Sequence, residues 1–273
     1  MASDALFRWI ETQEAQLAAP QWGRVLDAGT GRHSLQWLTA LDRGLVSEIV
    51  AVTGEKPLAE ELQREFATDG LPLRVYAGNW MDDQFLSEEG RFDVVVADYL
   101  VGSIEGFAPY YQDEIFTRLK KLLVLGGRFY VVGLEPVTES PVSSCTCCPE
   151  GTNENDAQLV REMARIRDAC ILLAGRRCYR EFPVTWTQRQ LVKAGLTVHD
   201  NVKMTNVYTV TTILRQVKVA RNQIKWFQDD ALATAMQTAL DTFEARVKTS
   251  VGKRKVRYGF DYVVAATYQE STQ

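Results

Sequence analysis

The segment VLDAGTGRHS at positions 25–34 decides the fold, because a short apolar strand there leads into a glycine-containing turn and then into a helix. Gly29 and Gly31 lack a Cβ, so a ligand can lie against the backbone of the turn. The N–H groups and the positive dipole end of the following helix favour a carboxylate or a phosphate at the same place. The segment therefore predicts a ligand-binding turn, although a tight turn without a ligand would have the same glycines.

Two polar residues of this segment narrow the choice of ligand. Asp27 stands two residues before the first glycine, at the carboxyl end of the strand, where it can pair with an ammonium group and would repel a pyrophosphate. Ser34 occupies the third glycine position of the G-x-G-x-x-G fingerprint of dinucleotide-binding proteins. Both residues argue against an NAD-linked oxidoreductase, which would otherwise share this beginning.

Short apolar strands and helices alternate on both sides of the turn. The predicted strands span 24–28, 48–53, 73–77, 92–97 and 128–133. The predicted helices span about 4–18, with Ser3 as its cap, and then 33–41, 57–67 and 112–123. This alternation indicates an α/β fold, because a parallel sheet has helices covering both of its faces.

The alternation is interrupted after residue 136. Residues 137–155 are rich in Ser, Thr, Cys, Pro, Gly and Asn and predict an exposed loop. The segments predicted beyond it are helices over 156–175, 185–194 and 223–247 and strands over 196–202 and 258–268. Residues 206–217 fit either a helix or a strand, because their apolar spacing is helical and their composition is typical of a strand.

The composition excludes several classes of protein. The chain has 273 residues, of which 46% are hydrophobic and 24% charged, so it is expected to be globular. Its net charge of −4 gives no general attraction to nucleic acid or to an anionic membrane. Charged residues interrupt the N-terminal segment, so we expect neither a signal peptide nor a transmembrane helix and place the protein in the cytoplasm.

Five cysteines, three of them at positions 145, 147 and 148, predict reduced thiols rather than a disulfide framework. No metal site is expected, because the chain has no second cysteine pair and no histidine cluster at zinc-binding spacing.

The sequence resembles the class I S-adenosylmethionine-dependent methyltransferases. Asp27, Gly29 and Gly31 match the D-x-G-x-G turn of that family, and the resemblance covers about residues 22–136 and continues loosely to the last strand. Further matches are Gly78-Asn79-Trp80, FDVVVAD at 92–98, LLVLGG at 122–127 and FDYVVAAT at 260–267. The resemblance implies a seven-stranded Rossmann-like methyltransferase sheet with helical insertions covering the substrate side. It also implies S-adenosylmethionine as cofactor and S-adenosylhomocysteine as product.

This resemblance also implies a division of the chain. We expect an N-terminal helical flank over 1–21 and a cofactor-binding core over 22–136 that continues over 183–202. A lid or substrate insertion is expected over 137–182 and a second, mainly helical insertion over 203–255. The last core strand and the tail are expected over 256–273.

Several residues are implied to bind the cofactor. The family normally has an acid at the end of the second strand for the ribose, but Thr53 and Gly54 stand there, so we assign the ribose to Glu55 with Thr53 beside it. An exposed Glu55 at the start of a helix is the alternative. Asn79 follows Gly78 where the family usually has an acid, and its carbonyl oxygen can accept a hydrogen bond from adenine. Trp80 is expected to pack on the adenine ring.

Asp98 and Tyr99 leave the fourth strand at the edge where the methyl group would be transferred. The prolines of the Asn/Asp-Pro-Pro-Tyr signature are absent, since Tyr99 and Leu100 replace them. Asp98 is the candidate for orienting an acceptor amine or taking its proton, and a helix cap is the alternative. Asp98 can also contact the cofactor.

Further candidates for the acceptor side have simpler alternatives. Tyr110 and Tyr111 line the acceptor pocket or lie in the core. His33 contacts the methionine carboxylate or the acceptor, or it faces solvent. Arginines 161, 165, 176 and 177 make the first insertion locally basic, which suits an anionic substrate. The candidates for contacting the substrate are therefore Arg161, Arg165, Arg176 and Arg177.

These observations lead to one expected function and two alternatives. The expected function is methyl transfer to a nitrogen, oxygen or sulfur atom of a small-molecule metabolite, by a monomer or homodimer with no membrane or nucleic-acid partner. The long insertions favour a closed pocket over an open groove. The alternatives are an RNA or protein methyltransferase, and a catalytically silent module of the same fold that binds a cofactor or regulates a partner.

Overall fold

The computed structural model of the chain describes residues 4–19, 21–67, 70–144 and 148–269. The chain forms two compact units. The first comprises Met1–Glu135, Arg180–Met204 and Tyr262–Gln273, and the second comprises Pro136–Tyr179 and Thr205–Asp261. Cys145 and Cys147 lie outside the described residues. The division predicted from the sequence, including the lid, stays a prediction.

The described residues form a seven-stranded sheet in the order β3-β2-β1-β4-β5-β7-β6. The strands are β1 (Gly23–Asp27), β2 (Val46–Thr53), β3 (Leu73–Ala77), β4 (Phe92–Asp98), β5 (Leu123–Leu134), β6 (Thr197–Tyr208) and β7 (Val256–Thr267). Strand β1 pairs in parallel with β2 and β4, β2 pairs in parallel with β3, and β4 pairs in parallel with β5. The predicted seven-stranded α/β sheet is confirmed.

The longer helices follow the strands in the predicted order. They are α1 (Ala5–Ala15), α2 (Arg32–Leu38), α3 (Lys56–Phe66), α4 (Leu100–Ser103), α5 (Ile115–Lys120), α6 (Glu154–Leu173), α7 (Val184–Lys193), α8 (Val210–Arg221) and α9 (Asp230–Val251). Helix α1 is capped by Asp4, whose side chain accepts from the N–H of Leu6, so the predicted cap at Ser3 is wrong.

Two other predicted boundaries are also wrong. The helix predicted over 112–123 ends at Lys120, because Leu123 already belongs to β5. The helix predicted over 223–247 begins at Asp230, where the side chain of Asp229 accepts from the N–H of Leu232 and caps α9. The ambiguous region contains both structures, since β6 ends at Tyr208 and α8 begins at Val210.

The core of the first unit lies on both faces of the sheet. Successive residues of a strand belong to different apolar clusters on opposite faces of the sheet. Val25 of β1 and Val94 of β4 lie in one cluster, and Leu26 and Val95 lie in the other. All four side chains are fully buried. Strands that are covered on both faces have continuous apolar runs, which explains why the sequence of β4 does not alternate with polar residues.

The second unit has its own apolar core. Helices α6, α8 and α9 contribute residues such as Val160, Ile213, Leu240 and Val247, and all four are fully buried. Helical spacing places the apolar residues of each helix on one stripe, and these stripes meet. In the described ranges, no helix is both long enough and apolar enough to cross a membrane.

Candidate cofactor-binding site

The candidate site lies where three parallel strands end. Asp27, Thr53 and Asp98 are the last residues of β1, β2 and β4, and Asp27 is paired in register with Ala51 of β2 and Val96 of β4. Strands β2 and β3 lie on one side of β1, and the chain then crosses to β4 on its other side, so the strand order reverses here. Ligands of open α/β sheets bind at the carboxyl ends of the strands at such a reversal.

Asp27 is a fully buried carboxylate with one oxygen unused by the protein. The Oγ of Ser34 donates to Asp27 Oδ2 across 2.8 Å, and the N–H of Gly31 donates to Ser34 Oγ across 3.1 Å. Among the described residues, none forms a hydrogen bond with Asp27 Oδ1. Burial raises the pKa of Asp27 to about 6, although the Ser34 hydrogen bond and the nearby polar groups of Thr30 and Gly29 oppose the shift.

The two glycines of the turn serve different purposes. A Cβ on Gly29 would lie 2.9 Å from the Cβ of Leu100, so the close packing of α4 alone requires glycine there. A Cβ on Gly31 would meet nothing within 4 Å, and its φ of −129° is open to any residue. The space beside Gly31 is therefore free for a ligand. The N–H of Thr30 is already bonded to Val52 O at 2.7 Å, so fewer donors remain in the turn than the sequence predicts.

Trp80 is buried beside the glycine turn. Its side chain is 4% exposed, and its indole Nε1–H donates to Ala28 O across 2.8 Å. The ring packs edge-on against Phe85 at 5.4 Å between centroids. The protein core covers the indole in this conformation, and the packing of Trp80 on adenine stays a prediction. Gly78 is explained by packing as well, since a Cβ there would lie 2.2 Å from the Phe85 ring.

Asn79 and Phe107 meet beside the end of β2. Asn79 Nδ2 donates to Phe107 O across 2.9 Å, and its Oδ1 accepts from the N–H of Met81 at 3.0 Å. The Phe107 ring lies over Gly54, where a Cβ would come within 2.5 Å of it. Phe107 is 41% exposed and is the aromatic surface that the sequence analysis missed. No local sequence signal brings it there, since it follows β4 rather than β2 or β3.

The two ribose candidates differ in exposure. Thr53 is buried at the end of β2, and its Oγ1 lies 3.5 Å from the N–H of Glu55. Glu55 is exposed at the N-cap of α3, and its side chain makes no capping hydrogen bond. Its assignment to the ribose stays a prediction.

Asp98 and Tyr99 form the exit from β4. Asp98 is half-buried and pairs in register with Val132 of β5. Tyr99 adopts a left-handed backbone conformation with φ of +48°, and its N–H donates to Val132 O across 3.0 Å. A non-glycine residue at positive φ stores conformational strain, and such residues cluster at functional sites. The conformation turns the chain sharply from the strand into α4, at the predicted acceptor edge.

The remaining aromatic and histidine candidates are dispersed. The His33 ring lies 5.0 Å from Phe7, and its Nε2 is 3.9 Å from Asp4 Oδ2, so His33 is directed toward the helix α1 region and not into the turn. Tyr111 packs against the core and is half-buried, and burial raises the pKa of its hydroxyl. Tyr110 is 69% exposed and has a positive φ of +68°. Tyr110 and His33 are both exposed to solvent, and Tyr111 is not.

Arg161 supports the second unit itself. Its side chain is only 5% exposed, and its guanidinium donates to Thr138 O at 2.8 Å, to the Tyr258 hydroxyl at 3.0 Å and to Ser140 O. It also forms an ion pair with Glu154 at 2.7 Å. Arg161 thus joins the loop at 138–140 to α6, so its donors are occupied within the second unit.

Two other arginines of the insertion, Arg165 and Arg176, also have partners in their own unit. Arg165 pairs with Glu139, and the Arg176 guanidinium lies 5.3 Å from the centre of the Trp226 ring. Arg177 has an interaction as well. The anionic acceptor, expected from the basic character of this insertion, stays a prediction.

Two acids that the sequence analysis missed lie in the first unit. Glu135 directly follows β5, where its Oε1 accepts from the N–H of Val184 at 3.3 Å and pairs with Lys203 at 2.6 Å. The Glu181 carboxylate lies against Gly102, because a Cβ there would come within 2.6 Å of Glu181 Oε2. An acid at the end of a buried strand is a sequence signal that Glu135 shares with Asp27 and that could have identified it.

The described cysteines and acids do not form a metal centre. Within the part of the chain that the structure describes, no group of three His, Cys, Asp or Glu side chains is arranged to hold a metal ion. Cys170 and Cys178 are free thiols, and burial raises the pKa of both.

Comparison with solved structures finds the same fold at low sequence identity. A proposed methyltransferase from Bacillus halodurans aligns with a TM-score of 0.57, at 13% identity over 94% of this chain and 98% of that one. The YcgJ protein from Bacillus subtilis aligns at 0.55, with 15% identity over 97% of this chain and 100% of that one. The cyclopropane synthase MmaA2 from Mycobacterium tuberculosis aligns at 0.54, with 17% identity over 98% of this chain and 86% of that one.

These similarities establish the fold. No family model matches the sequence, and no curated protein matches it. The chain has the Rossmann-like fold of class I S-adenosylmethionine-dependent methyltransferases, as the resemblance of its glycine turn implied.

Proposed function

We propose that the chain binds S-adenosylmethionine and transfers its methyl group to a nitrogen, oxygen or sulfur atom of a small-molecule metabolite. The observation that carries this proposal is the buried Asp27 carboxylate, whose Oδ1 has no hydrogen-bond partner among the described residues. Burying such an atom unpaired costs free energy of folding. A ligand with an ammonium group would supply the missing donor, and the methionine end of the cofactor has one.

The neighbouring residues fit the rest of this cofactor. The open space at Gly31 leaves room for the methionine end next to Asp27. Thr53 ends β2 and Glu55 caps the following helix, where the ribose hydroxyls would need acceptors. Asn79 Oδ1 retains a lone pair for the adenine amino group, and the exposed face of Phe107 offers a stacking surface beside it. The Bacillus halodurans protein that shares this fold is described as a proposed methyltransferase, which agrees with methyl transfer.

The acceptor would be held at the exit of β4. The bound cofactor would supply a methyl group on a positively charged sulfur, so the protein mainly positions the acceptor and removes its proton. Asp98 is the proposed group for orienting the acceptor and accepting that proton, because it ends the strand next to β1. Tyr99, held in its left-handed conformation, would form the adjacent wall.

The fold does not define the acceptor. The cyclopropane synthase MmaA2 and the proposed methyltransferase from Bacillus halodurans share it, and their names describe different reactions. Small-molecule transfer is therefore proposed from the sequence pattern of long insertions.

The test is methyl incorporation from labelled S-adenosylmethionine into a fractionated pool of small metabolites. Labelled product is expected with the wild type and not with the D27N variant, which retains the side-chain volume and loses the charge. A macromolecular pool of RNA and protein serves as the parallel acceptor. Label in that pool alone would replace the small-molecule proposal, and cofactor binding without label in either pool would indicate a silent binding module.

A further inference from the structure

The carbonyl group between Asp27 and Gly29 is bound by a side chain from a different strand end. Ala28 O accepts the indole Nε1–H of Trp80 across 2.8 Å, and both residues are buried. Trp80 follows β3, which lies two strands away from β1 in the sheet. The hydrogen bond therefore connects the end of β3 to the turn that contains the candidate cofactor contacts.

The turn has two further anchors, and both come from neighbouring strands. The Ala28 N–H donates to Val96 O of β4 at 2.8 Å, and the Thr30 N–H donates to Val52 O of β2 at 2.7 Å. These two bonds hold the turn at its two ends. Trp80 is the side chain that holds the Ala28 peptide between them, next to both Asp27 and Gly29.

Trp80 is itself held rigidly. Phe85 packs edge-on against its ring, and the Arg118 guanidinium lies 5.8 Å from the ring centre. Arg118 also donates to Phe85 O, so it joins the two aromatic residues through the backbone. A donor fixed in this way sets the orientation of the carbonyl that it binds.

We infer that Trp80 is a positioning residue for the glycine turn: its indole N–H fixes the Ala28 peptide so that Asp27 and Gly31 are held in a ligand-ready arrangement. This role is separate from the expected contact of Trp80 with adenine. It rests on the proposed function only where cofactor affinity is the readout, since the order of the turn can be measured without a ligand.

Trp37 provides a matched control in the same unit. Its indole Nε1–H donates to Glu11 Oε1, also across 2.8 Å, and its side chain is 7% exposed. It belongs to the apolar cluster on the opposite face of the sheet from Trp80. Trp80→Phe and Trp37→Phe therefore remove the same donor from similarly buried indoles, but only the first removes a contact with the turn.

The experiment measures amide hydrogen exchange at residues 28–31 and the affinity for S-adenosylhomocysteine by calorimetry. Trp80→Phe is expected to accelerate exchange in the turn and to weaken affinity by about tenfold, the effect of one buried hydrogen bond. Trp37→Phe is expected to leave both quantities at the wild-type level. If Trp80→Phe does not fold, Phe85→Leu, which loosens the packing of the indole and retains its N–H, is expected to change both quantities in the same direction.

The two readouts separate the two proposals. A wild type that does not bind S-adenosylhomocysteine would contradict the proposed function, and accelerated exchange in Trp80→Phe would then still support the positioning role. Unchanged exchange in Trp80→Phe, or exchange no different from that of Trp37→Phe, would overturn the inference. Wild-type affinity in a folded Trp80→Phe variant would overturn it as well, while the proposed function would stand.

Discussion

Ser34 Oγ donates to Asp27 Oδ2 across 2.8 Å, and this bond orients a carboxylate whose other oxygen has no partner among the described residues. The same serine stands where a dinucleotide-binding turn would have its third glycine. The departure from that fingerprint thus has a structural reason, because a glycine at this position could not hold Asp27. In the proposed function, the ammonium group of the ligand donates to the other oxygen of this carboxylate.

The first prediction is that ionised Asp27 destabilises the folded protein and is required for binding the cofactor. Its pKa of about 6 in the folded protein lies above the ordinary 3.8. At a pH where Asp27 is ionised, this difference lowers the free energy of unfolding by on the order of 3 kcal/mol. D27N is expected to raise the unfolding temperature at pH 8 and to abolish detectable binding of S-adenosylhomocysteine. Calorimetric unfolding and titration measure the two effects, and S34A, which loses the orienting bond and retains the charge, is the control. A D27N variant that is less stable and binds normally would contradict this role.

The pH dependence follows from the same group. Between pH 3.8 and about 6 the folded protein holds a proton on Asp27 that the unfolded chain releases, so the Asp27 contribution to stability decreases as the pH rises through that window. Binding has the opposite sign, because an ammonium ligand requires the ionised carboxylate. We expect affinity for S-adenosylhomocysteine to fall by up to about tenfold per pH unit below pH 6 and to level off above pH 7. Constant affinity from pH 5 to pH 8, with folding verified by circular dichroism, would rule out this linkage.

The two glycines of the turn should respond differently to substitution. Gly31→Val enters open space at a permissive φ, so the stability of the free protein should change by no more than about 0.5 kcal/mol while cofactor affinity is lost. Gly29→Ala should destabilise the protein by about 1–3 kcal/mol, because its Cβ would press on Leu100. Thermal unfolding and calorimetric titration of both variants check this. Equal destabilisation by the two changes would show that Gly31 has a structural role.

The arginines of the second unit provide a further test. Arg161→Ala is expected to lower the free energy of unfolding by about 1–3 kcal/mol, since it removes donors from buried or half-buried oxygens of Thr138 and Tyr258. Arg165→Ala should have no measurable effect on stability, because its pair with Glu139 is exposed. Scanning calorimetry measures both. Neither change should alter the acceptor KM through loss of charge, and a large KM effect of Arg165→Ala would support the anionic acceptor.

The sequence was sufficient for the sheet and for the glycine turn. The apolar run at 92–98 and the D-x-G-x-G spacing are formed by residues close together in the chain, so they can be recognised in the sequence alone. Helix ends were less predictable, as at Lys120, because the competing strand β5 begins three residues later and tertiary pairing decides between them.

Tertiary contacts explain what the sequence analysis did not find. The indole of Trp80 meets Ala28 from 52 positions away, and Phe107 reaches Gly54 from a different loop. No periodicity or residue spacing in the sequence indicates either of these two contacts. The same holds for Arg161, whose role depends on which carbonyl groups the folded loop presents to it.

The central claim is that the turn beside Asp27 is a cofactor site for S-adenosylmethionine and not for a dinucleotide. Calorimetric titration of the wild-type chain with S-adenosylhomocysteine and with NAD, at pH 8 and alongside Gly31→Val, tests it most directly. We expect one S-adenosylhomocysteine molecule bound per chain, no binding in Gly31→Val and no heat with NAD. Binding of NAD, or a wild type that binds neither compound, would contradict it.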